Sequence, residues 1–354
     1  MSMLKDYIYH NISSTENARE ALRKLDSLPE LTSRTLFVID ASGKLLGTIT
    51  DGDIRRGLLK NLEISDSVTA FMHEQFKRII HKPTGPEELK SFRKADIRMI
   101  PVVDENAVLI DVIDLDKMRT VLPVTAVIMA GGKGERLRPL TDTVPKPMLK
   151  IGDKPILEHN VDRLIQYGIK EIFISINYLG DQIKNFFGDG SSKGISIQYI
   201  EETSPLGTIG SVSMLPEIHN NTILLLNSDL LTNLDFEAFY EEYVSKSSLM
   251  TVASIPYQFQ VPYAVLETKE EIVHAFLEKP SFTYYSNAGI YLIAKSACDE
   301  YIPKGTFYNT TDLMEEVIKS GNRLTHYPHM GYWLDIGKYP DFIKAQEDIK
   351  YIKL

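Results

Sequence analysis

The sequence predicts an α/β chain in two parts: a small repeated α/β module, then a mostly parallel sheet covered by helices on both faces. Three observations carry this. Residues 35–56 repeat at 99–120 with a constant offset of 64. "TAVIMA" (125–130) and "TILLLN" (222–227) are short continuous apolar runs, as expected of strands buried on both faces. Segments with helical spacing, "ILEHNVDRLIQYG" and "DLMEEVIKSGN", alternate with such runs. A length of 354 residues suits two domains.

Composition bounds the function. With 43% hydrophobic and 25% charged residues, the chain reads as globular. No apolar run approaches the ~20 residues of a membrane-spanning helix. The N-terminal "MSMLKDYIYHNISSTENARE" lacks the apolar core of a secretory signal. A single cysteine, Cys298, forms no internal disulfide, and a reducing cytoplasm is expected. The net charge of −9 is uneven: residues 1–120 hold 18 Lys and Arg against 19 Asp and Glu, and the rest 21 against 29. Such an acidic body argues against nucleic-acid binding, but not against small phosphorylated ligands.

In the first part, "TLFVIDASGKLLGTITDGDIRR" lies over "MIPVVDENAVLIDVIDLDKMRT", pairing Asp40 with Asp104, Leu45 with Leu109, Ile49 with Ile113 and Arg55 with Arg119. Each copy reads strand, turn, strand, helix start, with "DASG" and "DENA" as the turns. A helix is expected in "STENAREALRKLDSL", with Ser14 or Thr15 as its cap. Pro123 punctuates the break, and a new apolar run starts at Val124. The repeat resembles a tandem pair of CBS domains over residues 1–120, with a second domain at 124–354. That resemblance implies an adenine nucleotide whose ribose is gripped by Thr50 and Asp53. The second copy has Asp114 and Lys117 at those places and Asp111 where a glycine is usual. The plainer reading is that Asp53 caps the following helix.

After the strand at "TAVIMA" comes "MAGGKGERLRPL" (129–140). Glycines let backbone N–H groups converge on phosphate oxygens. The loop is neither a P-loop nor a dinucleotide fingerprint, since Leu137 stands where the third glycine would. Arg136 and Arg138 follow, and Lys146 sits between Pro145 and Pro147. Cations behind a glycine turn at a strand's carboxyl end read as a polyphosphate site.

"GGKGERLRPLT" followed by "PKPML" closely resembles the signature of sugar-1-phosphate nucleotidylyltransferases, and the likeness runs over nearly all of 124–349. It implies a Rossmann-like, GT-A-like sheet, and an enzyme that joins a nucleoside triphosphate to a sugar 1-phosphate and releases pyrophosphate. By the resemblance, Ala130, Gly131, Gly132, Gly134, Glu135 and Arg136 contact the nucleotide. So do Pro205 and Gly207 in "EETSPLGTIGSV", where Gly207 is expected to start a helix. Asp229, ending a second buried strand, and Asp335 in "GYWLDIGKYPDF" hold Mg²⁺. Lys146, Glu278, Lys279, Asn287 and Gly289 bind the sugar phosphate. Three positions depart from the family pattern: Glu135 stands for Thr, Ser228 for Gly and Ala264 for Gly. Trp333 and the histidines read as structural.

Arg136, Lys146 and Asp229 are the expected catalytic residues. The CBS pair ahead of this domain resembles guanylyltransferases acting on glucosamine 1-phosphate in legionaminic acid pathways, which implies GTP. The same chemistry with mannose, glucose or N-acetylglucosamine 1-phosphate and dTTP, UTP or CTP is the alternative. An inactive nucleotide-sensing regulator, and an assembly module, are the others. A homo-oligomer is expected.

Overall fold

Two units divide the chain: residues 1–122 with 165–168, and residues 123–164 with 169–354. The structure, a computed structural model, describes residues 8–28, 33–81, 86–352 and 354.

In the first unit β1 (Asn11–Ser13), α1 (Ala18–Ser27), β2 (Thr35–Ile39), β3 (Leu45–Thr50), α2 (Asp51–Leu58) and α3 (Val68–Phe71) precede β4 (Ile79–Ile80), α4 (Pro86–Lys94), β5 (Met99–Val103) and β6 (Leu109–Asp114). The sequence repeat is a structural repeat. β1 runs parallel to β2, which is antiparallel to β3; β4, β5 and β6 repeat that arrangement. Even the register break recurs 64 residues on, between Val38 and Ile39 and between Val102 and Val103. Both turns form the same way. Asp40 Oδ1 accepts the N–H groups of Ser42 and Lys44, and Asp104 Oδ1 those of Asn106 and Val108. Leu45 N donates to Ala107 O (2.9 Å) and Leu109 N to Gly43 O (3.1 Å), so equivalent positions link the copies reciprocally.

Two expected caps move. α1 is capped by Asn17, whose Oδ1 accepts from Glu20 N at 3.1 Å; Ser14 and Thr15 lie in the preceding turn. The cap of α2 is Thr50 rather than Asp53. Asp53 sits three residues in and accepts from Thr50 N (2.8 Å) while its own N–H reaches Thr50 Oγ1 (3.3 Å), a reciprocal capping box.

In the second unit β7 (Thr125–Met129) is followed by a short hairpin, β8 (Lys150–Ile151) and β9 (Lys154–Pro155), then α5 (Ile156–Gln166), β10 (Glu171–Ile176), α6 (Gly180–Phe187) and β11 (Ser196–Glu201). Next come β12 (Thr222–Asn227), β13 (Leu230–Thr232), α7 (Phe236–Ser245), β14 (Met250–Gln260), β15 (Val265–Lys269), β16 (Ile272–Leu277) and β17 (Ser281–Ala294). α8 (Lys295–Tyr301), α9 (Thr310–Lys319), β18 (Leu324–Pro328), β19 (Trp333–Asp335) and α10 (Tyr339–Asp348) complete it.

The main sheet has the order β11-β10-β7-β12-β17-β14-β18, and only β17 runs against the others. This is the mostly parallel α/β sheet expected. β7 and β12 are almost wholly buried, as their unbroken apolar runs require. α8 and α9 pack Ala297, Cys298, Leu313 and Val317 against Val127, Leu225 and Tyr291. After β7 the chain moves outward through β10 and β11, then returns to place β12 on β7's other side. The carboxyl ends of β7 and β12 therefore flank a topological switch point, where open α/β sheets bind ligands. No helix among the described residues is long and apolar enough to cross a membrane.

Candidate active site

At that switch point lies a cleft of about 650 Å³. The loop after β7 supplies Gly131, Gly132, Lys133, Gly134, Glu135 and Arg136; the end of β12 supplies Asn227, Ser228 and Asp229; Lys146, Pro205 and Gly207 complete the expected set. Ala130 is buried behind the loop, its N–H held by Ser175 O at 2.8 Å. Among the described residues, the N–H groups of 131–136 make no hydrogen bond to another protein group. Gly134 has φ +64°, and a Cβ there would stand 2.9 Å from Lys146 Cβ. Only glycine lets the loop turn left-handed while the lysine stem passes this close.

Lys146, nearly buried, donates to Asp229 Oδ2. A short 3-10 turn, Lys146–Met148, capped by Pro145, fixes its backbone. Asp335 is brought to Asp229 by the antiparallel pairing of β13 with β19, in which Leu230 faces Asp335 and Ile336 N donates to Asp229 O at 3.0 Å. Gly337 ties Arg136 to this corner: a Cβ on it would lie 3.3 Å from the Arg136 guanidinium and 3.5 Å from Asp335 Oδ1. Burial raises the Asp335 pKa, the Asp229 charge raises it further, and Lys146 and Arg136 pull against both.

Asp229 Oδ1 and Asp335 Oδ1 are both buried without a hydrogen-bond partner. Two adjoining carboxylates with an orphaned oxygen each suit a hard divalent cation, and magnesium takes one or two carboxylates and completes its shell with phosphate and water oxygens. Among the described residues no group of three or more His, Cys, Asp or Glu forms a metal cage.

Several expectations place differently. Gly207 does not start a helix; it occupies a turn at φ +78°, and a 3-10 helix begins only at Gly210. A Cβ at Gly207 would meet the Tyr308 carbonyl at 2.5 Å, so the loop lies flat against residues 306–309. Gly289 adjoins the cleft through Asn227, whose amide would sit 2.6 Å from a Cβ there. Glu278 and Lys279 do not line this cleft; they lie exposed in the connection between β16 and β17. Asn287 is also outside it, lining a separate cavity of about 330 Å³ with Ser254, Tyr285 and His326. Trp333 packs, as expected, its Nε1 donating to Ala288 O at 2.9 Å.

Sequence reasoning missed Glu202 and Phe307, which also line the cleft. Glu202 follows β11 directly, accepting from Ser175 Oγ (2.5 Å) and Leu206 N (3.1 Å). The strand-end rule that singled out Asp229 applies to it equally. Phe307 comes from a loop before α9, and no local pattern marks it.

Comparison with known proteins gives the chain's relatives. Residues 125–351 match the nucleotidyl transferase family and residues 3–60 a CBS domain. The chain is 32% identical over 232 residues to a mannose-1-phosphate guanylyltransferase of Mycobacterium tuberculosis (64% of each chain). It is 33% identical over 229 residues to an N-acetylmuramate alpha-1-phosphate uridylyltransferase of Neisseria meningitidis (62% of this chain, 96% of that one). The match spans a little under two-thirds of the length of the first of these. HddC from Yersinia pseudotuberculosis, in a crystal structure with GMP-PN, superimposes with a TM-score of 0.51 at 26% identity, covering 64% of this chain and 99% of that one. With the family pattern spanning the cleft and the whole sheet beneath it, the chain belongs to the nucleotidyl transferase family.

Proposed function

We propose that residues 124–354 transfer a nucleoside monophosphate from a nucleoside triphosphate to a sugar 1-phosphate and release pyrophosphate. The observation that carries this is the convergence of the glycine loop, Arg136, Lys146, Asp229 and Asp335 on one corner of the switch-point cleft.

In this reaction a phosphate oxygen of the sugar 1-phosphate bonds to the α-phosphorus. The bond from that phosphorus to the bridging oxygen of the β-phosphate breaks, and pyrophosphate leaves with the electron pair. The nucleophile is already an anion, so no general base is required. The protein's task is to hold two mutually repelling anions in line and to stabilise charge at phosphorus. The N–H groups of 131–136 and the Arg136 guanidinium take the triphosphate oxygens. Lys146, fixed by Asp229, serves the α-phosphate and the incoming phosphate. Asp229 and Asp335 would hold Mg²⁺. Bound there, it offsets phosphate charge as a hard Lewis acid.

GTP is the proposed donor and glucosamine 1-phosphate the proposed acceptor. A guanylyltransferase relative and a fold neighbour carrying GMP-PN support the first; the resemblance to legionaminic acid enzymes supports the second. Residues 1–120 are proposed as a tandem CBS module, its second copy resting on the repeated topology, and the protein as cytoplasmic. There an adenine nucleotide's ribose would engage Thr50 and Asp53, displacing Arg56 from Asp53 Oδ1. Titration of AMP, ADP and ATP tests this, with Asp53→Ala as control; no binding and no change in rate disposes of it.

The reaction itself is tested by pyrophosphate release from GTP, dTTP, UTP and CTP against glucosamine, N-acetylglucosamine, mannose and glucose 1-phosphates. The expected best pair is GTP with glucosamine 1-phosphate. Another best pair corrects the substrates, and silence with all sixteen pairs contradicts the reaction.

A further inference from the structure

α5 carries an amide where its pattern calls for an apolar residue. Ile156, Leu157, Val161 and Leu164 form the stripe that meets the core, each 0% exposed. Asn160 falls on the same stripe and is 4% exposed. Asparagine is a poor residue for a helix interior, and burying its carboxamide is costly unless the amide is hydrogen-bonded. A leucine there would satisfy both the helix and the core.

The amide is spent on one short piece of chain. Asn160 Nδ2 lies 3.0 Å from Leu230 O and 3.4 Å from Ser228 O, and 3.2 Å from Ile156 O of its own helix. All three partners are carbonyl oxygens, which only accept, so the nitrogen and not Oδ1 must face them. Ser228 and Leu230 bracket Asp229. They stand where the chain leaves one ladder for another. β12 pairs with β17 as far as Leu226 and with β7 as far as Asn227, and Ser228 N makes a last bond to Met129 O at 3.2 Å. β13 then takes up β19 at Leu230↔Asp335. The carbonyl between them, Asp229 O, accepts from Ile336 N at 3.0 Å. Three consecutive carbonyls are thus held, the outer two by Asn160 and the middle one by the residue after Asp335.

Ser228 O and Asp229 O belong to the two rigid peptide planes that flank the Asp229 Cα, so these bonds fix both of its soft backbone dihedrals. The side chain is thereby aimed at Lys146 and at the corner where Asp229 Oδ1 and Asp335 Oδ1 stand without partners. One turn along α5, Arg163 Nη2 donates to Leu234 O, so the helix grips the same segment again beyond β13. Asn160 itself does not line the cleft.

We propose that Asn160 is a positioning residue for the metal-binding carboxylates: by holding the carbonyls on either side of Asp229 it sets the direction of that side chain, and with it the affinity of the Asp229–Asp335 pair for a divalent cation. This rests on the transferase reading, in which that pair holds the cation, but the hold on the backbone does not depend on which reaction follows.

Mn²⁺ is the probe, since it shares the preference of Mg²⁺ for carboxylate and water oxygens. Free Mn²⁺ gives a paramagnetic resonance signal that broadens on binding, so affinity is read on the full chain without substrates or turnover. Asn160→Leu, similar in size and lacking any donor, is expected to weaken Mn²⁺ binding about tenfold or more. The Mg²⁺ concentration for half-maximal rate should rise with it, while the KM for the sugar 1-phosphate at saturating Mg²⁺ stays at the wild-type value. Val161→Ala is the control: it also loosens the core beside α5 but removes no hydrogen bond, and its Mn²⁺ affinity should not change. An Asn160→Leu chain that binds Mn²⁺ as the wild type does overturns the proposal, and so does an equal loss in Val161→Ala, which would make lost stability the cause. Asn160→Ala takes the same measurement should the leucine variant not fold; if neither folds, residue 160 serves the fold alone and the proposal falls. A wild type that binds no Mn²⁺ overturns the metal pair and this role together. A wild type that binds Mn²⁺, loses it in Asn160→Leu and yet is silent with every substrate pair overturns the transferase reading and leaves the role of Asn160 standing.

Discussion

Asp335 is held against Asp229 in a half-buried corner, and both burial and that neighbouring charge raise its pKa. The sign has a consequence for stability. A carboxyl raised in the folded state stabilises most below the ordinary carboxylate range, and that contribution is lost as pH rises through the raised value. Above that raised value the Asp335 charge, buried beside Asp229, works against the fold. Asp335→Asn is therefore expected to raise the melting temperature of the metal-free chain by about 2–4 °C while removing turnover. Magnesium should raise the melting temperature of the wild type and not of the variant. A metal-free variant that melts lower would contradict the account. Gly134→Ala forces a side chain into a left-handed turn and against Lys146. It is expected to cost about 1–2 kcal/mol in urea unfolding and to slow turnover. Burial pushes the Cys298 thiol up to about 12, so alkylation should proceed only as the chain unfolds; rapid labelling of the native protein would contradict this. At this scale the sequence was legible where a residue type has few other uses. A lysine between two prolines and a carboxylate at the end of a buried strand both pointed to the cleft. Glu202 and Phe307 did not stand out, one for being a common surface type, the other for arriving from a distant loop.

Among the elements, β7 and β12 were the easiest to read. An unbroken apolar run has few alternatives to a strand buried on both faces, and each ends in the loop that carries the chemistry. Boundaries read less well. Asn17 rather than Ser14 or Thr15 caps α1, because several polar residues in a row can each serve and only packing selects one. The box at α2 joins Thr50 and Asp53 through both backbone N–H groups, so Asp53→Ala is expected to destabilise the first unit by about 1 kcal/mol, read by urea unfolding. Gly207 misled the reading. A glycine two residues after Pro205 suggested a helix start, whereas the backbone there turns left-handed to lie against the Tyr308 carbonyl. The exposed ribbon in which β14 and β17 stay paired from Tyr257↔Tyr284 to Gln260↔Ser281 was not legible at all. Alternating apolar residues foretell strands, but nothing local says whether their faces meet their own chain or solvent.

At the scale of the molecule, the repeat at 64 residues was visible in the letters, and the register break that recurs at the same offset is its structural counterpart. The order of strands was not, because pairing between distant segments leaves no mark at fixed spacing. That order decides the chemistry: by placing β12 beside β7 it brings Asp229 to the glycine loop, and by pairing β13 with β19 it adds Asp335. The account's central claim is that this corner, and no other part of the chain, performs nucleotidyl transfer. It is tested most directly by following nucleotide-sugar formation chromatographically for the wild type and for Arg136→Ala, Lys146→Ala, Asp229→Asn and Asp335→Asn under one set of conditions with magnesium. The account predicts product from the wild type and losses of about 100-fold or more in each variant, with native circular dichroism throughout. Wild-type rates in Asp229→Asn or Lys146→Ala would contradict it.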